Sequence, residues 1–411
     1  MGEEVNQARK EINDPFDNKE IFWGLRSKAH WLREGHRNTK FFHARVFERK
    51  KQNTILGIWD KDGNWCGDQD SIAKAAISCF EEIYSTSFLS QIENVIDPIP
   101  AKVTNGMNSE LSKAFTREEV VSALKQLHST KSPGSDGMLA LFFQKYWSIV
   151  GINVSNMVLN VLNFGMTLFE INRTNIALMP KTNNPQRMTD FRPISLSNVV
   201  YKLISKTISK RLKAILPHII TKNQSAFTAD RLITDKVLVA YEIMHFLKKK
   251  RGWNDSFMAA KLDMSKAFDR VEWIFIEKVM RKMGFNEGWI NLVMKCISSV
   301  SYLVIINDMT HGNIVPTRGL RQGDSLSLYL FLLCAEGFSA LIHDATRTKQ
   351  LNGTSICRGA PKITHLIFAN DSLLFCRANG DECNKLKEIL GIYEFASGQK
   401  INTDKSFIFF S

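Results

Sequence analysis

The sequence holds no CxxC pair, and its seven cysteines (Cys66, Cys79, Cys296, Cys334, Cys357, Cys376, Cys383) are odd in number and scattered. That pattern gives no start for a zinc site and fits a reducing compartment, with apolar-flanked Cys334 and Cys376 acting as small core residues. Long hydrophobic runs are also lacking. The longest, Leu328 to Ala335, is far too short to span a bilayer, so no membrane helix is expected. The opening MGEEVNQARKEIND is too charged for a signal peptide, and Asn6 stands where a myristoylation signal needs Ser or Thr. Neither repeats nor a low-complexity linker occur, so domain boundaries must come from changes in pattern.

Acidic residues are in the minority, 41 Asp and Glu against 54 Lys and Arg, for a net charge of +13. Such an excess favours a polyanionic partner. It is uneven: between Arg26 and Lys51 the nine cations Arg26, Lys28, Arg33, Arg37, Lys40, Arg45, Arg49, Lys50 and Lys51 face only Glu34 and Glu48. Trp31, Phe41, Phe42 and Phe47 interleave with them, a mixture suited to nucleic acid because rings stack bases while cations track phosphates. A second cluster, Lys202, Lys206, Lys210, Arg211 and Lys213, contains no acid and reads either as a solvated helix face or as a phosphate contact.

With 411 residues and 44% hydrophobic content the chain can bury a substantial core and is expected to form two or three packed subdomains. Residues 20 to 51 read as a basic helix. Ile55 to Trp65 reads as a hairpin turning at Asp62-Gly63, and Ser71 to Tyr84 as a helix. The segment Ser87 to Asn108, with Pro98 and Pro100, reads as a linker. Thr116 and Glu119 form a capping-box pattern ahead of Val120 and Leu124, and the helix they open stops at the loop Lys131 to Gly137. Helical patterns recur at 138 to 165, 198 to 216 and 231 to 250. Beyond 252 come a strand FMAAKLD, helices at Trp273 to Met283 and Trp289 to Ser299, and a hairpin at Ser301 to Thr317. A long apolar helix at Ser325 to Ala345, a strand-turn-strand ITHLIFANDSLLF, a helix at Cys383 to Ala396 and a final strand SFIFFS complete the chain. Helices on a small sheet with acids at strand ends describe an α+β class.

Two acidic strand termini carry the chemistry. Asp263 ends a buried strand, and Asn370-Asp371 sits at a hairpin tip between apolar strands. Carboxylates there can converge on Mg2+, which prefers oxygen ligands and bridges phosphates; a plain turn role for Asn-Asp is the alternative.

Several segments in order resemble the reverse transcriptases of non-long-terminal-repeat retrotransposons, particularly the plant LINE group. FMAAKLDMSKAFDRVEW (257 to 273) looks like the polymerase A motif, and GLRQGDSLSLYLFLLCAEGFSALI (319 to 342) the B motif. ITHLIFANDSLLFCRA (363 to 378) resembles the C motif, and ASGQKINTDKS (396 to 406) the D motif. LMPK (178 to 181), DFRPISLSNVVYKLISK (190 to 206) and NQSAFTADRLITD (223 to 235) resemble the family's finger segments. WLREGHRNTKFFHAR (31 to 45) and LKQLHSTKSPGSDGMLALFFQKYW (124 to 147) resemble its amino-terminal extension.

The resemblance implies right-hand fingers and palm, with a small antiparallel palm sheet packed with helices. The regions expected are a basic extension at 1–108, helical fingers at 109–251 and a palm at 252–411. It implies two Mg2+ ions, with Mn2+ as a substitute, held by Asp263, the Met264 carbonyl and Asp371. Lys181 and Arg192 would hold the triphosphate, Phe268 would exclude a ribose 2′-OH, and Gln322 and Gly323 would line the nucleotide pocket. Lys405 would protonate pyrophosphate. The implied partners are an RNA template, a DNA primer and deoxynucleoside triphosphates. The pattern departs from the family at Asn370, where an aspartate that binds both metals is expected, and at Asp230, Ser325 and Leu328. The expected result is impaired activity, compounded by lack of an endonuclease and a thumb; the alternative is an inactive nucleic-acid-binding remnant.

Overall fold

The computed structural model describes residues 39–87, 89–228, 231–249, 256–357 and 359–411. Its first elements are α1 (Thr39–Asn53), the strands β1 (Ile58–Trp59) and β2 (Trp65–Cys66), α2 (Gln69–Tyr84), α3 (Ile92–Ile96) and α4 (Asn105–Leu111). Next come α5 (Arg117–Lys125), α6 (Ala140–Lys145), α7 (Trp147–Phe164), β3 (Arg173–Pro180), β4 (Phe191–Leu196), α8 (Val199–Ile219) and α9 (Ile233–Lys249). Then follow β5 (Phe257–Leu262), β6 (Met264–Ser265), α10 (Trp273–Met283), α11 (Glu287–Ser298), β7 (Ser301–Ile306), β8 (Met309–Ile314) and α12 (Ser325–Arg347). The last are β9 (His365–Phe368), β10 (Asp371–Arg377), α13 (Gly380–Ser397), β11 (Lys400–Ile401) and β12 (Phe407–Phe410). The mixture is α+β, as the sequence patterns indicate.

The chain divides into two compact units: Met1–Ala76 with Ala177–Pro193 and Val304–His311, and Ile77–Ile176 with Ile194–Leu303 and Gly312–Ser411. In the first, the β1–β2 hairpin pairs Trp59 with Trp65, and its turn is fixed by the Asp60 carboxylate, which accepts from the N–H groups of Asp62 and Asn64 at 2.9 and 2.7 Å. Asn307 locks the segment after α1 in place, exchanging hydrogen bonds of 2.8 and 3.0 Å with the Ile55 backbone.

In the second unit a four-stranded sheet runs β12-β5-β10-β9, with every β5 pairing antiparallel. Side-chain alternation sends Met258, Ala260, Leu262, Leu374 and Cys376 into one large core shared with α8, α10 and α12. Ala259, Leu366 and Phe375 point the other way, where Ile243 and Leu247 of α9 cover them. Helix α12 is long and apolar enough to cross a membrane, yet 83% of its most apolar window is buried in this core, which accounts for its composition.

The capping box at Thr116 and Glu119 is present. The stretch Ser87 to Asn108, in contrast, is no linker. It folds into α3 and α4, buries Val95, Ile96, Ile99 and Val103 in the main core, and bonds the Met283 carbonyl through Lys102 and Val103 N–H groups. Pro98 and Pro100 end α3, and the apolar residues around them supply packing that a breaker-based reading does not register. The helical pattern at 138 to 165 splits at Tyr146 into α6 and α7.

Candidate active site

β5 and β10 are in register up to Leu262 opposite Ser372, and one further step places Asp263 opposite Asp371. Neighbouring strands are about 4.8 Å apart, and directly opposed residues project from the same face. The two carboxylates therefore leave adjacent strand ends side by side, with Asp263 half-buried and Asp371 exposed. Asp371 also pairs with Phe368 across the β9–β10 hairpin, leaving Ala369 and Asn370 as a two-residue turn with Ala369 at φ 53°. Asn370 is half-buried and lines a small void with Met264, Tyr393 and Gln399.

Two devices hold these strand ends. The segment after α13 pairs with β6 through β11, then with β5 through β12, and between them five residues, Asn402 to Ser406, stand opposite only Leu262 and Asp263. This bulge grips the Asp263 backbone: the Asn402 N–H donates to the Asp263 carbonyl at 2.8 Å, and the Asp263 N–H donates to Ser406 Oγ at 3.2 Å. On the hairpin side, Ser225 and Ile367 donate to Ile367 and Asn223 carbonyls, and the Gln224 side-chain oxygen accepts from the Ala369 N–H at 3.3 Å. Gln224 is 1% exposed, and motif reading left it among the finger residues with no link to the hairpin.

Phe268 is half-buried and stacks on Phe331 at 4.5 Å between centroids. Its carbonyl accepts from the Leu320 N–H at 2.8 Å, and the Val271 carbonyl accepts from the Gly319 N–H at 2.8 Å. The turn after Asp263 is thus sewn to the loop carrying Gln322 and Gly323. Gly319 is required there, because at φ 97° an added Cβ would lie 2.6 Å from the Asp269 carbonyl. Gln322 Nε2 donates to both oxygens of Asp269, at 3.1 and 3.0 Å. Asp269 is 1% exposed, and burial pushes its carboxyl up to about 6 against the opposing pull of Lys266, Gln322 and Tyr84. Motif reading passed over this residue; with Lys266, Arg270 and Glu272 close by in the chain, nothing local marks it as a buried acid. Gly323, at φ 95°, is needed for its conformation and not for space.

Lys405 is exposed in the Asn402–Ser406 bulge. Lys181 and Arg192 lie in the first unit; Arg192 is exposed on β4, while Lys181 Nζ donates to the Thr189 carbonyl at 2.7 Å. Of the basic residues in the amino-terminal cluster, Arg26, Lys28, Arg33 and Arg37 lie outside the described residues, as do Trp31 and Asp230. On α1, Lys40 and Lys51 are exposed, Arg45 pairs with Glu48 at 2.9 Å and Lys50 with Asp308 at 2.8 Å; Arg49 is half-buried. Phe42 is buried and Phe47 is exposed, so only one of these two rings faces solvent.

Asp263, Asp371, the Asn370 amide and the Met264 carbonyl offer only oxygen donors, the set a hard cation such as Mg2+ takes. Their carboxylate count is low: among the described residues no group of three or more His, Cys, Asp or Glu could hold a metal, in keeping with the amide at 370.

Fold and site together define an α+β protein with two carboxylates on adjacent strand ends at a hairpin tip. The chain belongs to the reverse transcriptase (RNA-dependent DNA polymerase) family, whose profile matches residues 179–410. It is similar to the Transposon TX1 149 kDa protein of Xenopus laevis, 28% identical over 386 residues, covering 93% of this chain and 29% of that protein. A retrovirus-related Pol polyprotein from a type-2 retrotransposable element of Drosophila melanogaster is 26% identical over 294 residues, 72% of this chain and 26% of that protein. A mitochondrial protein of Arabidopsis thaliana is 47% identical over 70 residues, 17% of this chain and 57% of that protein. These relatives place it with the LINE-type, non-long-terminal-repeat retrotransposon proteins. The chain spans under a third of the length of the first two.

Proposed function

We propose that the chain is the RNA-directed DNA polymerase portion of a plant-type LINE retrotransposon protein, with residues 109–251 acting as fingers, 252–411 as palm and 1–108 as a basic extension. The observation that carries this reading is the register of Asp263 and Asp371 inside the family-matched stretch; the Arabidopsis similarity supports the plant grouping. The substrates are an RNA template, a DNA primer and deoxynucleoside triphosphates.

Asp263, Asp371 and the Met264 carbonyl would hold Mg2+, with Asn370 contributing an amide oxygen. When bound, such ions activate an attacking hydroxyl and stabilise the leaving oxygen. The remaining roles belong to the chain itself. Phe268, braced on Phe331, sets the wall against a ribose 2′-OH, and Gln322 and Gly323 shape the nucleotide pocket. The family resemblance assigns the triphosphate to Arg192, whose guanidinium is a forked donor, and to Lys181, whose ammonium is a point charge. Lys405, exposed in the bulge that grips Asp263, would give a proton to pyrophosphate, as the family resemblance implies.

Asn370 supplies no charge where the family resemblance expects a carboxylate. Loss of one neutral oxyanion donor costs about 10²- to 10³-fold in rate, and loss of an anionic metal ligand costs at least as much. Primer extension on RNA by the wild-type chain should therefore lie near background and rise about 10²-fold or more in Asn370→Asp, with Mg2+ or Mn2+. Equal rates for the two proteins would refute the role given to position 370. A second reading, a nucleic-acid-binding remnant, is favoured by that same amide; extension still absent in Asn370→Asp while RNA binding persists would select it.

A further inference from the structure

The second basic cluster of the sequence divides in the structure. Arg211 is a clamp: it pairs with Glu119 at 2.7 Å, lies 3.6 Å above the Phe115 ring and donates to the Leu111 and Ala114 carbonyls at 3.0 and 2.9 Å. The four lysines do something else. Lys202, Lys206, Lys210 and Lys213 recur every three or four residues on α8, which places them in a row on one helix face. At a rise of 1.5 Å per residue they are separated by about 4.5 to 6 Å along the axis, comparable to the step between phosphates on one strand.

Lys202 is used internally, donating to the Ser132 carbonyl at 3.0 Å and so tying down the loop between α5 and α6. That loop brings Lys131 to the row. Lys210 is steadied by the Ser122 hydroxyl. Among the described residues no carboxylate forms an ion pair with Lys131, Lys206, Lys210 or Lys213, and Lys206 holds its proton less tightly than usual because it is partly buried and faces Lys213, Lys131 and Lys210. Folding thus assembles four mutually repelling ammonium groups, and the one carboxylate that feels Lys210, Glu119, is already paired with Arg211 at 2.7 Å, so the row costs stability unless an anion joins it. The row has no lipid-inserting character: Leu203, Ile204, Ile208 and Leu212 of α8 are all fully buried.

We propose that this face of α8, with Lys131 beside it, binds the phosphodiester backbone of a nucleic-acid strand laid along the helix, without reading its bases. The inference goes beyond the polymerase reading, since it requires no chemistry at Asp263.

The test uses the full chain with a labelled single-stranded RNA and an RNA–DNA hybrid, each titrated between 50 and 200 mM salt. Lys206→Gln/Lys210→Gln/Lys213→Gln should weaken binding at least tenfold at 50 mM. Its log–log salt slope should be shallower by about 2, at roughly 0.7 per lost phosphate contact for a single strand. The corresponding triple Arg variant should keep the wild-type slope, and the Gln variant should melt no lower than wild type at low salt, because repulsion is relieved. The relative loss on RNA and on hybrid identifies which strand occupies the row. A wild-type slope in the folded Gln variant overturns the proposal, as does wild-type affinity for anionic vesicles exceeding that for both nucleic acids. Should the triple variant unfold, Lys206→Gln and Lys213→Gln singly must each reduce the slope by about 0.7; an unchanged slope in both is equally fatal. Failure of Asn370→Asp to extend a primer leaves these outcomes untouched.

Discussion

Asp269 shows how one side chain links stability to pH. Its carboxyl titrates at about 6 in the folded protein, against an ordinary value of 3.8, because it is buried beside Gln322. A carboxyl raised on folding favours the native state below its ordinary value, and that contribution is lost as pH rises through about 6. The difference amounts to about 3 kcal/mol. Relative to Asp269→Asn, the wild type should therefore lose stability between pH 4 and pH 7, as read from urea midpoints; parallel curves would show that the charge is neutralised some other way. Asn370 makes the complementary point through metal binding. A ligand at ten times its dissociation constant adds about 1.4 kcal/mol to folding stability. Mg2+ at millimolar levels should thus raise the melting temperature of Asn370→Asp more than that of the wild type, and equal shifts would place the ion elsewhere.

At the scale of elements, the strands and helices with strong local codes were legible. The capping box at Thr116, the Asp62-Gly63 hairpin and the short FMAAKLD strand all form as read. Thr116→Ala should cost about 1 kcal/mol by removing one cap. What escaped the sequence depends on distant partners. β6 and β11 are two residues each and exist only because they pair with one another, and α3 and α4 are too short to carry periodicity. Gln224 and Asp269 likewise gain meaning only from Ala369 and Gln322, far away in the chain. The junction at Gly319 is the most exacting of these tertiary features. Gly319→Ala should destabilise by about 2 to 3 kcal/mol in chemical denaturation, from φ strain together with the collision at the Asp269 carbonyl. A loss under 0.5 kcal/mol would mean that the turn and the loop separate easily.

For the molecule as a whole, the net charge of +13 was readable at once, but its division of labour was not. Arg211, Arg318 and Arg321 are consumed by the interior: Arg318 pairs with buried Glu272 at 3.1 Å, and Arg321 bonds the Cys296 carbonyl at 2.6 Å while stacking on Tyr201. Composition cannot separate these from cations left for phosphates, since burial is a property of the fold. The family motifs fared better because order along the chain survives even where single residues are ambiguous, and the register of β5 and β10 then converts two of those motifs into neighbours.

The bulge opposite Asp263 has a genetic consequence. Since β12 alternates faces with period two, deleting one residue from Asn402–Ser406 would force a choice between releasing the Asp263 backbone and sliding Phe407–Phe410 by one step, which turns each of those side chains to the opposite side of the sheet. Point changes in this segment can be absorbed one bond at a time; a lost codon cannot.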